Sequence, residues 1–341
     1  MTKKLAFLSL PALFLSLTAC TPSAHTPPPE TLGSIERLDP RLDALVPSGA
    51  AMEKLAEGFA WSEGPAWRAE GAYLLFTDIP NNTIYQWSEA EGLDVFLRPA
   101  GYGGAEPPGL ELGSNGLAFH PDGPLLMCDH GNRGVFRLNE DNFTKTALVT
   151  RYDDRRFNSP NDLVYHSNGD LYFTDPPYGL AGQDDDPTKE LPFNGVYRLG
   201  TDGTITLLDS TLTRPNGIGF SPDEQTLYVA VSDPNAAQWM AYDVQDDGTL
   251  ANRRVFFDAT DKVQAGLKGL PDGLAVDAQG NIFATGPGGV LVFAPDGTHL
   301  GTLQTGEATA NCAFGDDGST LYITADMYLL RARLTTKGLG F

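Results

Sequence analysis

Pro215-Asn216-Gly217-Ile218-Gly219-Phe220 runs through the turn residues Ser221-Pro222-Asp223-Glu224 into a second apolar stretch, Thr226-Leu227-Tyr228-Val229-Ala230. Two short β-formers joined by turn chemistry read as a hairpin. The pattern recurs along the chain. An acidic or amide anchor with a small neighbour opens an apolar stretch at Glu63 (EGPAW), Asn115 (NGLAF), Asn161 (NDLVY), Asn216 (NGIGF), Asp272 (DGLAV) and Asn311 (NCAFG). The matching turns carry Glu70-Gly71, Asp122-Gly123, Asn168-Gly169, Asp223-Glu224, Gln279-Gly280 and Asp317-Gly318.

The anchors lie 52, 46, 55, 56 and 39 residues apart, and third strands are expected at 83–87, 135–138, 196–199, 239–244 and 290–293. Such intervals, each holding three or four short antiparallel strands, are the signature of a propeller blade. The last repeat has room for three strands before Phe341, so residues 52–56, just ahead of the first anchor, are expected to supply its outer strand and close the ring. The sequence therefore predicts an all-β, six-bladed β-propeller over residues 46–341, with a metal site in its central channel.

Composition limits what such a ring does. Of 341 residues, 41% are hydrophobic, enough for a full core. The 23 basic residues stand against 44 acidic ones, a net charge of -21 that repels nucleic acid and anionic lipid. Three cysteines and five histidines make no CxxC, no HExxH and no disulfide framework. Cys128 and Cys312 fall in non-neighbouring repeats and are expected as buried free thiols.

The first residues read as an address. Lys3 and Lys4 precede an apolar run over 5–17, and Leu17-Thr18-Ala19-Cys20 resembles a bacterial lipobox. Residues 1–19 are thus expected to be a signal peptide, Cys20 a lipidated N-terminus, and 20–45 a Pro-rich tether. The mature protein would face the periplasm, touching its membrane through the lipid alone. The sequence sets no oligomeric state.

In a propeller the six anchors open the innermost strands and point at one end of the channel. Glu, Asn, Asn, Asn, Asp and Asn are all hard oxygen donors, which suits Ca²⁺ first, then Mg²⁺ or Mn²⁺, and argues weakly against the remaining candidate, Zn²⁺. Each Asn-Gly or Asp-Gly also reads as a simple turn. The long connections 98–113 and 176–192 fall on the same face, where loops on a rigid scaffold carry function.

From Met52 to the C-terminus the chain resembles the gluconolactonase, senescence-marker-protein (regucalcin) and luciferin-regenerating family. The resemblance rests on Ser62-Glu63-Gly64-Pro65, Ser159-Pro160-Asn161-Asp162, Phe173-Thr174-Asp175-Pro176-Pro177-Tyr178-Gly179, Arg214-Pro215-Asn216-Gly217 and Leu270-Pro271-Asp272-Gly273. The FTDPPYG stretch is most similar to the microbial gluconolactonase branch. The resemblance implies a divalent ion held by Glu63, Asn161, Asn216 and Asp272, and hydrolysis of a sugar lactone. One position departs: animal regucalcin-like members have a substrate-holding arginine where this chain has Ser159.

On this reading the ion would polarise the lactone carbonyl and acidify a water. Asp272 would act as general base, with Asn161 or Asn115 donating to the oxyanion. Asn115, His130 and Asn161 are expected to contact substrate, and Asn311 to be structural. Asp78, Asp129, Asp175 and Asp326 read as turn residues. Ser62 and Ser159 lack a Ser-His-Asp order, which argues against a serine nucleophile. Two rivals stand beside the lactonase: a phosphotriesterase-like hydrolase on the same fold, and a non-catalytic periplasmic binding propeller with a structural metal.

Overall fold

A computed structural model describes residues 29–105, 109, 111–120 and 123–341. The signal-peptide and Cys20 expectations lie outside the described residues. Six antiparallel sheets follow one another in chain order, with inner strands Ser62–Arg68, Ser114–Phe119, Leu163–Tyr165, Pro215–Phe220, Leu274–Val276 and Thr309–Gly315. This is the expected six-bladed ring. Among the described residues, helix is confined to the single turn Thr260–Gln264 and two 3-10 turns.

The ring closes as predicted. Met52–Glu57 pairs with Tyr328–Arg333 at the outer side of the last blade, so one sheet is built from both ends of the domain. The N-terminal boundary needs correction. Part of the expected 20–45 tether belongs to the propeller: Thr31–Leu32 extends the sixth blade, and Ser34–Arg37 pairs with His299–Gln304 of the fifth. The 3-10 turn Pro40–Ala44 then buries Leu42 completely, and Val46 is equally buried. An apolar side chain removed from water in this way is worth roughly 1.5–3 kcal/mol, which a free tether would forgo.

The core is a set of wedges between neighbouring blades rather than one central mass. Phe59, Leu74, Phe76 and Trp87 of the first blade meet Tyr322 and Leu329 of the sixth. Tyr172 and Val196 of the third meet Phe220 and Val229 of the fourth. Leu126 and Cys128 of the second meet Phe173 and Tyr197 of the third. Cys312 lies in the wedge between blades five and six, and both cysteines are free and buried, as expected.

At the ring's centre the inner strands approach so closely that backbone packs on backbone. A Cβ on Gly217 would stand 2.1 Å from the carbonyl oxygen of Asp272. The glycine after the anchor is therefore a packing requirement as well as a turn signal. Four anchors coincide with β-bulges, where pairing slips between Glu63 and Ala66, Ser114 and Leu117, Pro215 and Ile218, and Thr309 and Asn311. A bulge re-aims the side chain beside it, and Glu63, Asn115 and Asn216 at three of these bulges line the channel mouth.

Candidate functional site

The channel mouth opens into a cavity of about 510 Å³. Glu63, Asn115, Asn161, Asn216 and Asp272 line it, so five of the six anchors meet there. Asn311 stays behind them, where its Nδ2 donates to Glu63 Oε2 (3.2 Å), the structural role expected of it. Trp61, Ile79, Pro234, Val263, Leu270 and Ala308 supply apolar wall.

Of the four candidate ion ligands, Glu63 and Asn216 are held by hydrogen bonds. Glu63 Oε2 accepts from the Gly64 amide (2.8 Å) and from Asn311. Asn216 Nδ2 donates to Ser232 Oγ (2.9 Å), which leaves the amide oxygen of Asn216 for the channel. Ser232 Oγ in turn donates to the Pro271 carbonyl, tying the Asn216 side chain to the residue before Asp272. Asp272 Oδ1 is buried with no hydrogen-bond partner. A buried carboxylate oxygen in that condition is costly unless a cation or proton meets it.

Electrostatics point the same way. Burial is the main cause that pushes Glu63 up to about 8, with the Asp162 carboxylate adding to it. Burial also raises Asp272 well above the usual range, followed by repulsion from Glu63, Asp162 and Glu111. Asp162 occupies the position where four other blades carry glycine. Its carboxylate accepts from the amides of Leu163 (2.9 Å) and Ile218 (3.3 Å) and is itself raised to about 7 by burial. No lysine, arginine or histidine lines the cavity among the described residues.

These observations fit a divalent cation held by Glu63, Asn161, Asn216 and Asp272: all oxygen, two carboxylates, one of them with an unmet oxygen. Among the described residues no three His, Cys, Asp or Glu side chains converge on one point. Two amides would complete such a set, a donor choice that suits hard cations better than Zn²⁺.

A consequence for stability follows. A carboxyl raised from about 4.5 when unfolded to about 8 when folded contributes fully below the lower value. That contribution is lost as pH rises through the upper one. Chelated protein should therefore melt at progressively lower temperature from pH 5 to pH 8.5, and added Ca²⁺ should raise the melting temperature more at pH 8.5 than at pH 5. Equal Ca²⁺ shifts at both pH values in a thermal melt would contradict the charge arrangement described here.

Other expectations are settled by their contacts. His130 does not line the cavity, contrary to its expected contact with substrate. Its side chain is fully buried behind the lining, with Nδ1 2.8 Å from Glu111 Oε2 and Nε2 3.5 Å from Asn115 Nδ2. Asp175 is a latch: its two oxygens accept from the amides of Asn158 (2.9 Å) and Ser159 (2.8 Å), fixing the approach to Asn161. Asp78 holds Ala60 and Trp61 in the same manner, and Asp129 holds Asn132 and pairs with Lys145 (2.6 Å). Ser62 Oγ donates to the carbonyls of Asp326 and Tyr328 and is committed to structure.

Ser159 explains its own departure from the arginine pattern. Its hydroxyl donates to the Pro176 carbonyl (2.6 Å) and accepts from the Gly179 amide (2.9 Å), and a Cβ on Gly179 would lie 2.8 Å from Ser159 Cβ. The FTDPPYG segment therefore folds into the space a long side chain at 159 would need. It delivers Tyr178 to the cavity, with the Arg214 guanidinium 5.8 Å from the ring centroid. Burial raises the Tyr178 phenol.

The sequence reading missed Glu111, Tyr178, Ser232 and Trp61 as cavity residues. Tyr178 lay inside a quoted motif and Glu111 inside a loop flagged for its length. Ser232, at the end of a second strand, carried no signal of its own.

Fold and site together define a six-bladed propeller with an oxygen-lined channel mouth. Residues 61–326 match the SMP-30/gluconolactonase/LRE-like region, and the chain belongs to that family. It is 41% identical over 313 residues to a gluconolactonase of Zymomonas mobilis, covering 90% of this chain and 88% of the relative. It is 27% identical to a pentonolactonase of Haloferax volcanii, over 77% of this chain and 80% of that protein. A solved gluconolactonase of Xanthomonas campestris superposes with TM-score 0.76 at 32% identity, over 91% of this chain and 99% of the other.

Proposed function

We propose that this protein is a divalent-metal-dependent lactonase that opens aldono-lactones. The observation that carries the reading is a pair of carboxylates lining one cavity in a member of this family: Glu63, which is buried, and Asp272, half-buried but with its Oδ1 buried and unpartnered. The gluconolactonase and pentonolactonase relatives support a sugar lactone as substrate. Glu63, Asn161, Asn216 and Asp272 would hold the ion, whose positive charge would be there to polarise an ester carbonyl and acidify a nearby water.

The chain's own residues do the rest. The Asp272 carboxylate has two oxygens, so one can ligate the ion while the other takes the proton of the attacking water. When the ring C–O bond breaks, the leaving alkoxide needs a proton, and the same carboxyl can return it. Asn161 lines the cavity and can donate from its amide to the oxygen on which charge develops. Ser232 holds the Asn216 amide in one orientation, so that donor geometry is set before substrate arrives. Trp61, Tyr178 and Leu270 wall the cavity with carbon and reduce its water content, which strengthens every charge interaction inside.

The test is hydrolysis of D-glucono-δ-lactone followed by pH-stat titration. Activity should vanish with chelator and return with Ca²⁺ or another divalent ion. A phosphotriester assayed alongside separates the rival hydrolase reading, and should be turned over poorly. Full lactone hydrolysis in excess chelator would overturn the metal role, and no hydrolysis of any aldono-lactone under any metal would overturn the substrate.

A further inference from the structure

We propose that Glu111, acting with His130 and Asn115, is the specificity-determining wall that selects lactones carrying ring hydroxyls over plain cyclic esters. The inference rests on the lactonase reading above and names the part of the cavity that recognises the substrate away from the reacting carbonyl.

Glu111 and Asn115 both line the cavity, and His130 lies buried behind them. The order of contacts sets the chemistry each presents. Asn115 offers its NH₂ group to His130 Nε2 (3.5 Å), so that nitrogen must carry a lone pair and the ring proton sits on Nδ1. Nδ1–H then donates to Glu111 Oε2 (2.8 Å). With its NH₂ committed to His130, Asn115 has its carbonyl oxygen left for the cavity. The wall accordingly presents a carboxylate and an amide oxygen, both acceptors. Ring hydroxyls are the complementary donors.

The backbone holds this wall in place. The Gly113 amide donates to the Ile79 carbonyl (3.1 Å), the His130 amide to Gly113 (3.1 Å), and the Tyr102 amide to Leu112 (2.8 Å). The residues immediately after Glu111 are thereby fixed to two neighbouring segments, and the carboxylate is carried on a braced loop. Val263, Leu270 and Ala308 offer only carbon, and among the described lining residues Glu111 is the one carboxylate outside the candidate ion ligands. A hydroxylated ring is therefore read from the Glu111 side, while an unsubstituted ring would strip water from the carboxylate and give nothing back. A site built to bond a hydroxyl rejects the analogue that lacks it, because its own polar groups are left unpaired.

The experiment compares kcat/KM for D-glucono-δ-lactone and δ-valerolactone in metal-loaded wild type, Glu111→Ala and Glu111→Gln. The wild type should prefer the hydroxylated lactone. In Glu111→Ala that preference should fall by about 10-fold or more, carried by KM rather than kcat, as expected for loss of a hydrogen bond to a charged acceptor. Glu111→Gln still accepts from His130 and should lose less. Equal losses on both lactones, or a wild type with no preference, would overturn the proposal and leave Glu111 as a loop prop. If the wild type opens neither lactone, the lactonase reading fails by itself. The wall is then judged by calorimetric affinity for D-gluconate against 5-hydroxypentanoate, where an unchanged preference in Glu111→Ala overturns it and a lost one upholds it.

Discussion

Replacing Asp272 with asparagine should slow hydrolysis of the best lactone by about 10²–10⁴-fold when the enzyme is saturated with metal. The substitution keeps an oxygen ligand and nearly the same volume. What it removes is a carboxylate whose Oδ1, alone among the described residues lining the channel mouth, is buried with no hydrogen-bond partner, and with it the group able to accept a proton. Metal affinity should also weaken, since two carboxylates become one, and for that reason turnover must be compared at saturating metal. Glu63→Gln is the control. It makes the same reduction in charge, but Glu63 Oε2 is already occupied by the Gly64 amide and Asn311, so this residue is a poorer base. Glu63→Gln should therefore bind metal weakly and, once loaded, retain more turnover than Asp272→Asn. Near wild-type turnover in metal-saturated Asp272→Asn would move the base elsewhere, with Glu63 the next candidate.

The parts of this molecule legible in the sequence are those that repeat. An anchor with its glycine, an apolar strand and a turn recur because every blade solves the same problem at the channel, and repetition makes a weak local signal strong. That is why the ring, its closure by Met52–Glu57 and the convergence of Glu63, Asn161, Asn216 and Asp272 could be read in advance. The residues that escaped are singular. Glu111 sits in a connection with no counterpart in other blades. Ser232 looks like any strand-end serine until its bonds to Asn216 and Pro271 are seen. His130 was singled out for its chemistry, yet nothing in the sequence says that Glu111 and Asn115 stand between it and the cavity. Asp162 is the instructive case: it breaks the anchor-glycine rule, and the cost of its burial is met by two backbone amides that belong to different blades.

Truncation at the N-terminus should show three distinct levels of stability, and the middle one tests where the domain begins. A chain starting at residue 30 keeps every described N-terminal strand and should melt like a chain starting at residue 20. A chain starting at residue 47 loses Thr31–Leu32, Ser34–Arg37 and the buried Leu42 and Val46. It also loses the Arg37 guanidinium that donates to the Val46 and Pro47 carbonyls (3.0 and 2.7 Å). Loss of two or three buried side chains at roughly 1.5–3 kcal/mol each should lower the melting temperature by on the order of 10 °C, with the ring still closed. A chain starting at residue 58 loses Met52–Glu57 as well, and the sixth blade then keeps only strands from the C-terminal end. That cut exposes the edge of Tyr328–Arg333 and leaves Arg331 without Glu53 (2.5 Å), a half-buried pairing at the point where the ring is sealed. A propeller with an open seam cannot share load between blades, so this protein should fail to fold or unfold well below the other two. Circular dichroism melts of the three chains decide the matter. If the chains beginning at 30 and 47 melt together, residues 31–46 are a tether after all, packed on the surface without contributing to stability.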